Sequence, residues 1–87
     1  MNDLTFYGDS WEHYTYWETQ DRKTLKKIND LLEDIRRNGA MKGKGKPERL
    51  RYRPGYSRRI DEKNRLVYDI DELQNIKIIS CRGHYDD

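Results

Sequence analysis

The apolar positions of residues 21–39 recur with the period of an α-helix. They are spaced three, four and three residues apart, on one stripe of an amphipathic helix: Leu25, Ile28, Leu32 and Ile35. Asp21 is a suitable N-cap, and Asn38-Gly39 supplies a left-handed stop. The pattern therefore predicts a helix between Asp21 and Gly39 with one buried face.

The N-terminal region carries a shorter helical pattern behind a β-prone run. Residues 4–7, LTFY, predict a strand. Asp9 and Glu12 have the spacing of a capping box. Aromatic residues then follow at near-helical spacing: Trp11, Tyr14 and Trp17. These signals predict a first helix over about 10–18, and the two helices are expected to form a hairpin.

In the second half of the chain the period changes to two. Alternating runs predict strands at 50–53, 56–60, 65–70 and 76–81. Pro54-Gly55 marks a turn between the first two runs. We therefore expect a single domain over residues 1–87 with an α+β fold, in which an N-terminal helical hairpin packs on a twisted antiparallel β-sheet.

Alternation also divides the side chains of neighbouring strands between two faces. The face expected to pack on the helices carries Leu66, Tyr68 and Ile70. Arg65 then lies on the opposite face with Val67. On the preceding strand Ile60 points toward the core and Arg59 points away. Two arginines are therefore predicted to converge on the uncovered side of the sheet, unless a bulge intervenes.

Composition and charge narrow the range of possible functions. The chain is 33% hydrophobic and 39% charged, which leaves a small core. Its one cysteine allows no internal disulfide, and no membrane-spanning run or signal-peptide pattern occurs, so a cytoplasmic location is expected. Residues 42–65 contain ten Lys or Arg and three acids, a net charge of +7 in a chain whose total is +2. Nucleic acid is the commonest polyanion that such a block binds.

The available residue types limit the chemistry. Two histidines and one cysteine cannot build the usual structural zinc sets, and KGKGKP (42–47) lacks the ending of a P-loop. No acid cluster suggests a two-metal nuclease, so we expect no cofactor. Metal-free RNA cleavage needs a base for the ribose 2′-OH, an acid for the departing 5′-oxygen and cations for the phosphate.

Glu48 and His84 are the candidates for that base and acid. Glu48 is the single acid in KGKGKPERLR (42–51), a segment that is otherwise a candidate linker or phosphate-binding loop. The nearby basic residues expected to contact phosphate are Lys44, Lys46 and Arg51. His84 is of the residue type that changes charge near neutral pH. Tyr85 is suited to stacking on a base or donating to a phosphate, whereas His13 is expected to be a packing or surface residue.

These residues occur in an order that resembles one known family. The segments follow in a single register over nearly the whole chain: KKIN (26–29), RR (36–37), GKGKPE (43–48), YSRRI (56–60), RLVY (65–68) and SCRGHY (80–85). Together they are similar to the YoeB/Txe toxins of bacterial toxin–antitoxin modules, within the RelE superfamily. The resemblance implies a microbial-ribonuclease-like fold and an mRNA interferase, an endoribonuclease that cuts mRNA in the ribosomal A site without a metal and so inhibits translation.

The resemblance also implies partners and residue roles. The implied partners are the 70S ribosome with its 16S rRNA, mRNA, a YefM/Axe-like antitoxin and a second copy of the chain in a homodimer. Operator DNA is expected to be bound only by the toxin–antitoxin complex, and no membrane is expected. By the resemblance, Glu48 matches the general base, His84 the general acid and Arg65 the arginine that stabilises the transition state. Other matching positions are the phosphate-binding Arg59, the basic Lys46 and Arg51, and the terminal Tyr85.

Three features depart from the family pattern. The turn at 52–56 is short, Lys63-Asn64 stand where relatives often have acidic or histidine residues, and Asp86-Asp87 follow the tyrosine. The alternative function is a non-catalytic RNA- or ribosome-binding translation inhibitor that uses the same basic face. A DNA-binding regulator is disfavoured because the basic residues lie on predicted strands and loops rather than on a recognition helix.

Overall fold

The computed structural model describes residues 3–84, in which two helices pack on a five-stranded sheet. The helices are α1 (Ser10–Gln20) and α2 (Arg22–Asn38). The strands are β1 (Leu4–Phe6), β2 (Glu48–Arg49), β3 (Tyr56–Arg59), β4 (Arg65–Ile70) and β5 (Ile76–Ser80). Their order across the sheet is β1-β5-β4-β3-β2. No helix in this part of the chain is long and apolar enough to cross a membrane.

The predicted helices are both present, and one residue separates them. Asp21 ends α1 and caps α2, since its side chain accepts hydrogen bonds from the N–H groups of Lys23 and Thr24. Gly39 ends α2 with a φ of 88°. The capping box predicted for α1 is wrong, because Asp9 makes no side-chain capping bond there. Its φ of −85° and ψ of 4° are not the β-region angles typical of a capping residue.

The sheet differs from the predicted meander at both edges. β1 pairs in parallel with β5, so the sheet is mixed rather than wholly antiparallel. At the other edge the paired residues are Glu48 and Arg49, and the strand predicted at 50–53 is wrong. That segment forms the bend that leads to Gly55. Pairing with β3 therefore begins at the candidate base itself.

The core lies between α2 and one face of the sheet. The buried stripe of the helix is Ile28, Leu31, Leu32 and Ile35, and it packs with sheet residues that include Leu66, Tyr68, Ile76 and Ile78. Trp17 joins this cluster from α1 and donates from Nε1 to the backbone oxygen of Cys81 at 2.9 Å. Burial raises the pKa of the Cys81 thiol to about 12, so the thiol stays neutral.

His13 anchors the other side of the same residue. Its Nδ1 accepts a hydrogen bond from the Cys81 N–H at 3.3 Å. Of the packing and surface roles expected for His13, the half-buried side chain takes the packing one. Together with the Trp17 hydrogen bond, this contact holds the end of β5 against α1. It thereby fixes the point from which residues 82–84 extend.

Candidate active site

The strand register brings the two predicted arginines together. Arg59 on β3 pairs directly with Arg65 on β4, and Glu48 on β2 pairs with Ser57 on β3. A register irregularity does occur, but between Val67 and Tyr68 where β4 meets β5. The pairing of β3 with β4 is therefore undisturbed, and both guanidinium groups lie on the face that the helices leave uncovered.

A cleft of about 330 Å³ opens on this face. Its lining residues are Lys46, Glu48, Arg49, Leu50, Arg51, Ser57, Arg59, Arg65 and His84. The structure thus collects six of the eight site residues predicted from sequence, plus Arg49. Lys44 does not line the cleft, and Tyr85 lies outside the described residues. Among residues 3–84 no group of three or more His, Cys, Asp or Glu side chains is placed to hold a metal ion.

Part of the cleft floor is apolar. Leu50 lines the cleft and is only 9% exposed, although it lies outside the main core cluster. Gly55 turns the chain here with a φ of 127°. An added Cβ would lie 3.0 Å from the backbone oxygen of Tyr68 and 3.2 Å from the Leu50 side chain. The short turn therefore packs closely against Leu50 in the lining of the cleft.

The guanidinium of Arg65 is held by the turn that precedes it. Its Nη1 donates to the backbone oxygen of Asp61 at 2.6 Å and to that of Asn64 at 3.1 Å. Burial opposes ionisation of Asp61, but hydrogen bonds from Asn64 and the Lys63 N–H outweigh it and lower the pKa of the carboxyl. The half-buried Arg65 is therefore fixed in direction before any ligand binds.

The Lys-Gly segment is packed rather than free. An added Cβ at Gly43 would overlap the Asp34 carboxylate, and one at Gly45 would meet Leu31 at 2.9 Å. Both glycines have positive φ, and Gly45 accepts a hydrogen bond from the Arg59 N–H. Lys46 follows with a φ of 51°, which is rare for a residue other than glycine. The segment therefore has a defined path from α2 to Glu48, so it connects the helices to the sheet but is not a flexible linker.

Arg58 holds that path from inside the protein. It is fully buried, and its Nη1 forms an ion pair with Asp34 at 2.6 Å. Each of its five N–H donors has a partner: Tyr68 Oη, Asp34 Oδ2, and the backbone oxygens of Lys44, Gly39 and Lys42. The Tyr68 hydroxyl in turn donates to the Ala40 oxygen at 2.6 Å. One side chain thus ties two carbonyls of the segment, and that of Gly39 at the end of α2, to Asp34 and Tyr68.

Sequence reasoning missed Arg58, although a signal was present. Alternation that points Ile60 inward and Arg59 outward must also point Arg58 inward. An arginine facing the core needs a carboxylate and several acceptors. Asp34 is one such carboxylate, but it lies 24 residues away and was not identifiable as the partner from spacing.

Comparisons with known proteins find chains that are similar to this one over nearly its whole length. Residues 6–85 match the model of the YoeB-like toxin of bacterial type II toxin–antitoxin systems. Toxin YoeB of Escherichia coli K12 is 44% identical over 84 residues, covering 94% of this chain and 98% of that protein. A YoeB–YefM complex from Staphylococcus aureus contains a chain 46% identical with a TM-score of 0.89, covering 98% of this chain and 99% of that one. A YoeB dimer from the same organism is 49% identical with a TM-score of 0.89, and the match covers 97% and 98% of the two chains. The α+β fold is therefore confirmed.

Proposed function

This chain belongs to the YoeB-like toxins of bacterial type II toxin–antitoxin systems, and we propose that it is a ribosome-dependent mRNA endoribonuclease that cuts in the A site. The observation that carries the proposal is the composition of the cleft. Of the residues described there, one is a carboxylate, one an imidazole and five are basic. These groups satisfy the chemical needs of RNA cleavage through the ribose 2′-OH.

The proposed reaction is an acid–base transfer within one nucleotide step. Glu48 accepts the 2′-OH proton while the 2′-oxygen attacks the adjacent phosphorus. The P–O5′ bond breaks, and His84 donates a proton to the departing 5′-oxygen. The products are a 2′,3′-cyclic phosphate and a 5′-hydroxyl, and water then opens the cyclic phosphate to a 3′-phosphate.

The basic side chains stabilise the negative charge that develops on the phosphate in the proposed transition state. Arg65 and Arg59 face each other across β3 and β4, so both can meet the same phosphoryl oxygens. Lys46 and Arg51 are assigned to neighbouring phosphates along the RNA. Lys44 lies outside the cleft and is assigned to an outer phosphate contact. Tyr85, one residue beyond the described segment, is assigned to base stacking or phosphate contact.

The proposed partners are inferred from the basic cleft and from the solved relatives. A solved relative is a complex of YoeB with YefM, and we propose a YefM-like antitoxin whose acidic segment covers the basic cleft. A relative that forms a YoeB dimer supports a homodimer of this chain. Ribosome, 16S rRNA and mRNA are proposed as the cytoplasmic targets, with operator DNA contacted only as the toxin–antitoxin complex.

Primer extension on mRNA-programmed 70S ribosomes tests the proposal. The wild-type protein is expected to create discrete, codon-linked 5′ ends. Glu48→Gln should cut about 10²- to 10⁴-fold more slowly, because an isosteric amide cannot take the proton. Glu72→Gln, at an exposed glutamate between β4 and β5, is the matched control and should cut normally.

Two outcomes would contradict the proposal. Translation that stops without new 5′ ends would favour the alternative of a non-catalytic ribosome binder. Equal cleavage by Glu48→Gln and wild-type protein would remove Glu48 from the role of base while leaving the nuclease intact.

A further inference from the structure

We propose that Asn64 is a positioning residue that holds the backbone next to His84 and so aims the imidazole into the cleft, an inference that rests on the proposed function. Asn64 Oδ1 accepts a hydrogen bond from the Gly83 N–H at 2.8 Å. The Gly83 oxygen accepts one from the Arg65 N–H at 3.1 Å. Both backbone groups of the residue before His84 are therefore bound to consecutive residues at the start of β4.

The orientation of the Asn64 amide is itself determined. Its Nδ2 donates to both carboxylate oxygens of Asp61, at 3.1 and 3.0 Å. The backbone N–H of Asn64 donates to Asp61 Oδ1 at 2.7 Å. Because the amide nitrogen is committed to the carboxylate, the amide oxygen is the atom presented to Gly83.

The same turn controls the two groups that must act together. Asp61 and Asn64 hold the Arg65 guanidinium through their backbone oxygens. The Asn64 side chain holds Gly83. One four-residue turn thus sets the direction of the proposed transition-state cation and the approach of the proposed acid. Removing the Asn64 side chain leaves the backbone contacts to Arg65 available, so the two effects can be separated.

The segment that carries His84 lies at the surface. Cys81 is buried and tied to α1, and the Arg82 guanidinium lies over the Tyr16 ring, 3.5 Å from its centre, but Arg82, Gly83 and His84 are exposed. Gly83 adopts a φ of 89°, a conformation that other residues rarely take. An exposed turn with few buried contacts opens readily once a backbone hydrogen bond is lost. Without Asn64 the imidazole would spend less time near the departing oxygen.

A double-mutant cycle tests this role. Single-turnover cleavage of ribosome-bound mRNA is measured for wild type, Asn64→Ala, His84→Gln and the double variant. Asn64→Ala is expected to slow cleavage about 10- to 100-fold, the range that follows from small misplacement of a reacting group. The concentration for half-maximal rate should change little. In the His84→Gln background, Asn64→Ala should cause no further loss, because its effect passes through His84.

One further variant and one spectroscopic readout separate positioning from folding. Glu62→Gln, in the same turn, is the control and should cut at the wild-type rate. Amide exchange followed by NMR should show faster exchange at Gly83 in Asn64→Ala, with Cys81 unchanged.

Distinct results would overturn distinct claims. Equal loss from Asn64→Ala in both backgrounds, or no loss in either, would overturn the positioning role while the wild type still cuts mRNA. Unchanged exchange at Gly83 would do the same without reference to activity. A wild-type protein that cuts no ribosome-bound mRNA would instead overturn the proposed function, and this inference with it.

Discussion

Replacement of Arg58 by methionine is expected to destabilise the protein strongly. The arginine is 0% exposed, and methionine removes its charge and all five hydrogen-bond donors. The Asp34 side chain, 11% exposed, then loses its ion partner at 2.6 Å. Removal of one partner from a buried ion pair costs about 3–5 kcal/mol.

The structure places the expected loss at the lower end of that range. Lys42 and Lys44 are exposed, so water can take over hydrogen bonding to their carbonyl oxygens. We expect a loss of about 3 kcal/mol in the free energy of unfolding. In a domain of this length, that loss lowers the Tm by roughly 12–24 °C.

Urea unfolding followed by circular dichroism measures the change. Arg59→Met is the matched control, since the neighbouring arginine is exposed and its loss should change stability by less than about 0.5 kcal/mol. Asp34→Leu combined with Arg58→Met should lose less than the sum of the single variants, because no unpaired charge remains. Limited trypsin digestion should also cut faster at Lys42 and Lys44 in Arg58→Met.

Equal losses in the free energy of unfolding for Arg58→Met and Arg59→Met would refute the predicted role of the buried arginine. So would strict additivity in the Asp34–Arg58 cycle, because it would mean that the buried pair is not a coupled unit. Either result would return the Lys-Gly segment to the status of a loosely held loop.

Two further predictions concern the same network. Gly43→Ala should lower the free energy of unfolding by about 1–3 kcal/mol, because its methyl group would overlap Asp34 at a positive φ. Gly8→Ala, at a positive φ in open space, is the control and should lower it by about 1 kcal/mol. Equal losses in urea unfolding would contradict the close packing of Gly43 against Asp34. The pKa of Asp34 is lowered by the Lys44 N–H, and Arg58 adds to this against the opposing effect of burial. The stabilisation is complete above the ordinary carboxyl pKa of 3.8 and is lost as pH falls through the lower folded value, so Tm should drop steeply below about pH 4 and less steeply in Asp34→Asn. Parallel curves of Tm against pH for the two proteins would contradict this assignment.

Local patterns in the sequence predicted the parts of the fold that local interactions decide. The end of α2 at Gly39 and its cap at Asp21 depend on residues within one turn of the helix. The alternation of β3 and β4 assigned Arg59 and Arg65 to one face, because side chains in a strand point to opposite sides in turn. Asp9 shows the limit of this reasoning, since it has the right spacing but makes no capping bond.

The parallel pairing of β1 with β5 joins segments that lie about seventy residues apart, and no local pattern carries that information. The same holds for the contact of Asn64 with Gly83, which only the folded sheet brings within reach.

By itself the sequence determined two helices, most of the strands, a basic face and the residue types that act on RNA in the proposed mechanism. KGKGKPERLR was recognisable as the setting of Glu48. Only the tertiary structure decided that its glycines pack on Asp34 and Leu31 and that Arg58 binds its carbonyls from within. The physical reason is that a buried charge must be satisfied by acceptors wherever the fold supplies them. Those acceptors come from a helix, a loop and a strand that are distant in sequence.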